Sequence, residues 1–214
     1  MAKGAMEFEN WLTWKTDKAS DGDFERFDIR HEFEYGVTDR LQLALYYDWR
    51  NEQSAGKSSE SDFRDVAIEA IYNLTDPNTT DFGSAIYGEI KGSDDFIELE
   101  AKLLLQKNCG PLMYVYNIGA AIEWENDYTE DVAELFHSVG VSYAINTQWS
   151  VGLEALHEIA VPEVEAIGDS TVYAGPNMTW RSNRFSAALT GMWQLTSIDD
   201  EPDFQIRTIL SVDF

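Results

Sequence analysis

The chain has 214 residues, with 39 acidic against 15 basic side chains and a formal net charge of −24. That balance excludes a nucleic-acid ligand, which needs a basic footprint. A content of 44% hydrophobic and 13% aromatic residues excludes a chain left disordered for want of apolar surface. Cys109 is the single cysteine, so no disulfide closes within the chain. No Cys/His cluster points to zinc, and no cofactor is expected. No apolar run approaches the ~20 residues of a spanning helix, so a membrane reading of this chain has to be a barrel reading.

The opening MAKGAM has no apolar signal core, so residues 1–5 are expected to be an added or disordered N-terminal extension on a mature form. From residue 6 the dominant signal is period two, the strand period. It predicts twelve strands, at 6–16, 23–35, 41–50, 63–74, 83–91, 96–106, 112–124, 133–146, 150–159, 170–180, 185–195 and 204–214. In the second, Phe27, Ile29, His31, Phe33 and Tyr35 share one face, and Asp28, Arg30, Glu32 and Glu34 the other. In the third, Leu41, Leu43, Leu45, Tyr47 and Trp49 alternate with Gln42, Ala44, Tyr46, Asp48 and Arg50. GVTDR joins these two as a hairpin, and pairing Tyr35 with Leu41 keeps both apolar sets together. The sixth strand sets Ile97, Leu99, Ala101, Leu103 and Leu105 against Glu98, Glu100 and Lys102. The seventh carries Leu112, Tyr114, Tyr116, Ile118, Ala120 and Ile122 on one face. Pro176 interrupts the tenth, where a bulge or a strand break is expected.

Twelve strands without a helix, linker or repeat predict one domain over 1–214. The expected fold is all-β, a closed antiparallel up-and-down transmembrane β-barrel of about 12 strands. The odd-numbered connections are mostly the longer ones and carry most of the loop carboxylates, among them Asp127, Glu130, Asp131, Asp199, Asp200 and Glu201. Long loops on one rim and short turns on the other are the habit of bacterial transmembrane barrels.

Alternation alone does not say which face is buried; the aromatics do. Tyr35, Trp149, Trp180 and Phe214 end strands at one rim, and Trp14, Trp49, Trp124 and Trp193 at the other. Two such girdles suit the two boundaries between hydrocarbon and water. The chain then ends FQIRTILSVDF, with Phe204, Ile206, Thr208, Leu210, Val212 and Phe214 on one face. This segment resembles the C-terminal β-signal of bacterial outer-membrane proteins. The pattern over 6–214 resembles outer-membrane barrels of the porin-like class. The resemblance implies a bacterial outer-membrane location, with membrane lipids and the barrel assembly machinery as partners.

The polar face is expected to line the lumen with Asp28, Arg30, Glu32, Asp48, Arg50, Glu69, Glu89, Lys91, Glu98, Glu100, Lys102, Glu123, Glu134, Glu154, Glu158 and Arg207. Acids outnumber bases there, which favours cations if the lumen holds water. Arg30 is placed to reach Asp48, and Lys91 to reach Glu98. The leading expectation is a narrow passive channel for small cationic or neutral solutes; a sealed structural barrel is the alternative on the same fold. The loop acids, including Asp17, Asp21 and Asp23, could engage lipopolysaccharide through divalent cations. A lipid-modifying enzyme is a further alternative. His137 and His157 fall on the apolar parity as diagonal neighbours, Val139 opposing His157, but Ser138 points the other way and no hydroxyl is obviously placed as a nucleophile. His31, on the same parity, is expected to anchor at an interface. A soluble secreted β-sandwich binding protein is the remaining reading, and a mean hydropathy of −0.34 permits it.

Overall fold

The computed structural model describes residues 1–57, 59–125, 131–164 and 167–214; Asp127 and Glu130 lie outside them. The strands are β1 (Met6–Lys18), β2 (Asp21–Gly36), β3 (Leu41–Gln53), β4 (Glu60–Thr75), β5 (Gly83–Gly92), β6 (Phe96–Cys109), β7 (Leu112–Glu125), β8 (Asp131–Ala144), β9 (Trp149–Pro162), β10 (Ser170–Arg181), β11 (Phe185–Gln194) and β12 (Phe204–Asp213). Each pairs antiparallel with its neighbours in sequence, and β1 pairs with β12 from Glu7↔Asp213 to Thr16↔Phe204. The sheet therefore closes into an up-and-down barrel without a free edge. The β1–β2, β3–β4, β5–β6, β7–β8, β9–β10 and β11–β12 connections form one rim, the loop rim. The other connections and both termini form the turn rim.

The faces are inverted relative to a soluble core. Leu45, Ile68, Ile86 and Leu153 point outward and are 54, 56, 52 and 60% exposed. Between them in sequence, Tyr46, Ala67, Tyr87 and Glu69 point inward and are buried. A soluble β-sandwich would bury the leucines and wet the carboxylates; here the leucines form the outer wall.

Two hairpins are offset from expectation by two residues. Tyr35 pairs with Leu43 rather than Leu41, because the amides of Val37 and Thr38 both reach the Leu41 carbonyl and tighten the turn. His137 pairs directly with His157, with Val139 opposite Ala155, because the turn closes on Trp149 through the amides of Ile145 and Asn146. A slip of two preserves the parity of every side chain; a slip of one would have everted the strand.

Pro176 causes neither a bulge nor a break. β10 runs continuously against β9, with Pro176 opposite Leu153. On the other side the ladder to β11 omits Gly175 and Pro176 and resumes in the same register at Asn177↔Thr190. The backbones come close at this gap, for a Cβ on Gly175 would fall 1.9 Å from the Gly191 carbonyl oxygen. A true bulge lies between β3 and β4, where Asp48 pairs with Asp65 and Trp49 with Phe63, leaving Arg64 as the extra residue. Residues 1–5 fold onto the turn rim, where the Gly4 amide donates to the Gly36 carbonyl at 2.7 Å and the Lys3 amide to Asp39 at 3.1 Å.

Candidate functional site: the barrel interior

Alternation brings one face of every strand into a shared interior, and two chambers open from opposite ends. The chamber at the turn rim has a volume of about 720 Å³ and is lined by neutral polar groups such as Asn117, Ser138, Ser142, Asn177, Thr179 and Ser186, with Glu9 and Glu154. The chamber toward the loop rim has a volume of about 440 Å³ and is lined by Lys15, Asp28, Arg30, Asp48, Arg50, Arg64, Asp65, Lys91, Glu123, Glu158 and Arg207.

A belt at mid-height separates them. Tyr46 fills it and is only 1% exposed. Arg30 lies over the Tyr46 ring at 3.6 Å, and both Arg30 and Arg207 flank Trp11, at 5.8 and 5.9 Å from its centroid. Arg207 pairs with Glu154, which also accepts from the Thr190 hydroxyl at 3.2 Å. β12 and β9 are not neighbours in the wall, so this ion pair reaches over the inner faces of β10 and β11, beside Thr190, the register partner of Arg207. Arg207 lines one chamber and Glu154 the other.

Of the remaining expected inward residues, Asp28, Arg30, Asp48, Arg50, Lys91 and Glu98 form ion pairs between adjacent strands, and Glu100 and Lys102 form one within β6. Arg30 holds Asp48 through two bonds of 3.0 Å, a bidentate geometry that fixes both side chains. Asp28 is shared between Arg50 at 2.7 Å and Arg26 at 3.1 Å. Lys91 meets Glu98 at 2.9 Å, and Lys102 pairs with Glu100 while lying 4.0 Å from the Tyr87 ring. The Tyr87 hydroxyl donates to Glu89. Glu123 and Glu158 line the loop-rim chamber, and Glu134 lies on the inner face of β8.

One stretch differs. Glu7 and Glu9 of β1 pair in register with Glu34 and Glu32 of β2, and Glu69 of β4 adds to them. Among the described residues none of these five carboxylates forms an ion pair; Glu34 accepts the Gln42 amide at 2.8 Å. Carboxylate oxygens of Glu32, Glu34 and Glu69 lie within 4.8 Å of one another, as do those of Glu89, Glu98 and Glu100. The second group already meets Lys91, Lys102 and Tyr87. The first forms no ion pair among the described residues. Among the loop acids, Asp21 is occupied by the amides of Asp23 and Ala55 at 3.1 Å.

A family model described as a family of unknown function, DUF6662, matches residues 1–208. The chain belongs to that family. A search of curated proteins gives no match. Among solved structures, the DUF6662 chain is similar to the NanC porin (TM-score 0.62, 7% identity, 98% of each chain covered). It is also similar to the KdgM porin in complex with disordered oligogalacturonate (TM-score 0.61, 7% identity, 98% of each chain). LpxR from Salmonella typhimurium is a third (TM-score 0.58, 9% identity, 97% of this chain and 99% of that one). At these identities the likeness is one of fold: the DUF6662 chain has the architecture of outer-membrane β-barrels of the porin-like class.

On the outer wall of the DUF6662 barrel the aromatics gather near the rims. Trp14 stacks on Phe27 at 6.4 Å and meets Phe204 edge-on at 6.3 Å, and Trp193 lies 4.9 Å from Phe204. Trp49 packs against Phe63, and Trp124 sits opposite Asp131. At the turn rim Trp149 opposes Trp180 at 6.5 Å, with Tyr35 and Phe214 exposed. His31 lies between Phe8 and Tyr47 and bonds Asn10. Inward residues not singled out from sequence include Glu7, Glu9, Trp11, Lys15, Arg26, Arg64 and Asp65. Strict alternation counted from Glu7 places the first four inside; a tryptophan on each face of β1 conceals it. The bulge at Arg64 resets parity within β4 and leaves no such trace.

Proposed function

We propose that the chain is a narrow, passive outer-membrane channel of porin-like type that favours small cationic or neutral solutes. The observation that carries this reading is the unpaired acidic stripe of Glu7, Glu9, Glu32, Glu34 and Glu69 facing the interior. Carboxylates without counterions in a confined, low-dielectric space raise the local cation concentration and repel anions. Two of the similar structures are porins, and the outward leucines with rim aromatics suit a bilayer. The mid-height belt restricts passage to small solutes. Exposed Phe214 on the outward parity of β12 suits recognition by an assembly machinery, and the loop carboxylates suit divalent cations at a lipopolysaccharide surface.

The test is reversal potential in planar bilayers under a KCl gradient. Wild type is expected to pass cations in preference to anions. The triple variant Glu32→Gln, Glu34→Gln, Glu69→Gln is expected to lose most of that preference while still conducting. Absence of current above background from well-folded protein would overturn the reading in favour of a sealed barrel.

A further inference from the structure

The outer wall is mostly apolar, and a polar track crosses it from β7 to β10. The Tyr116 hydroxyl lies 2.7 Å from His137 Nδ1. The His137 ring stacks on His157, with centroids 5.7 Å apart and planes 16° from parallel. His157 Nε2 in turn lies 2.7 Å from Ser170 Oγ. Exposed Ile118, Leu135, Val139 and Leu153 surround the track. Ionisable side chains on a lipid-facing wall are costly and mark function when they occur. Ser170, the hydroxyl not evident from the strand pattern, opens β10 at the loop rim, where water meets the wall.

We propose that Ser170 and His157 form a nucleophile–base pair that cleaves acyl esters of membrane lipid at the outer wall. A serine hydroxyl donating to a neutral imidazole is the activated arrangement of acyl-transfer chemistry. Nε2 of His157 is the bare nitrogen in that state, with the ring proton on Nδ1. Ser170 Oγ attacks the ester carbonyl carbon as its proton passes to His157 Nε2. The ester C–O bond breaks, and the leaving alkoxide takes that proton, giving a free alcohol and an acyl-Ser170 ester. Water then attacks this ester and gives a proton to His157, which returns it to the Ser170 oxygen as the fatty acid departs. The net reaction is ester plus water to acid plus alcohol. His137 touches no reacting atom: it is a positioning residue, held by Tyr116, that fixes the His157 ring by stacking. The surrounding apolar side chains suit the acyl chain, and the position suits an ester near a lipid headgroup.

This site shares only the membrane location with the channel reading, so a barrel that carries no current leaves it intact. The experiment uses the full chain folded in lipid vesicles and a fluorophosphonate probe, with release of fatty acid from phospholipid and from lipopolysaccharide measured in separate arms. Wild type is expected to label on Ser170 and to release fatty acid from one of the two lipids, which names the source of the ester. Ser170→Ala is expected to abolish both signals. His157→Ala should slow labelling on the order of 10²-fold, the range of general-base assistance. His137→Ala should slow it less, and His137→Phe, which restores a stacked ring, should recover most of the rate. Far-UV circular dichroism checks that each variant retains its strands. A folded wild type that does not label, or a label that persists in Ser170→Ala, overturns the proposal.

Discussion

Arg207 and Glu154 are single side chains that tie β12 to β9 over the two strands between them. Among the described residues, Arg207→Ala leaves Glu154 with only the Thr190 hydroxyl. Loss of a charged partner in a partly buried site costs about 1–3 kcal/mol, so the urea midpoint in vesicles should fall. The same change joins the two chambers, so single-channel conductance should rise, and Glu154→Ala should reproduce the rise. Gly175 gives a second expectation at this scale. A methyl group there would collide with the Gly191 carbonyl, so Gly175→Ala must push β10 and β11 apart at the gap left by Pro176. Overpacking of this kind costs about 1–3 kcal/mol, measurable as a lower unfolding midpoint with unchanged strand content.

Strands are the scale at which the chain speaks most clearly. The period-two pattern located all twelve of them, because a wall with lipid on one side and polar groups on the other permits no other periodicity. Leu103 and Leu104 make the point on adjacent residues of β6: Leu103 is exposed on the outer wall, while Leu104 lines the interior near the turn rim. Leu103→Arg should lower stability in vesicles by about 2–4 kcal/mol, the cost of a cation near the bilayer midplane. Leu104→Arg should cost far less, and equal losses would refute the assigned faces. What alternation could not reveal is geometry set by turns and bulges. The offset of two between β8 and β9 brings His157 level with His137, and neither strand records it. The β3–β4 bulge turns both Arg64 and Asp65 into the loop-rim chamber against the local pattern. Ser170 meets His157 across a connection whose path no strand period describes. The belt of Trp11 and Tyr46 was equally hidden, since aromatic residues occur on both faces.

Over the whole molecule, charge is distributed along the barrel axis as well as between its faces. Six bases line the loop-rim chamber, namely Lys15, Arg30, Arg50, Arg64, Lys91 and Arg207. The unpaired acids Glu7, Glu9 and Glu34 lie toward the turn rim. An ion therefore meets different fields from the two sides, and current–voltage curves should rectify, with the sense reversing when insertion is reversed. Raising the salt toward 1 M, where the screening length falls to about 3 Å, should flatten the asymmetry. The seam between β1 and β12 has a consequence for how such a chain comes to exist. β1 waits for a partner that is synthesised after the ten strands between them, so a version cut short within the barrel is not a smaller barrel: it is an open ribbon with two raw margins ready to join a stranger. Until Phe204–Asp213 emerges, the growing polypeptide needs an escort more than it needs a fold.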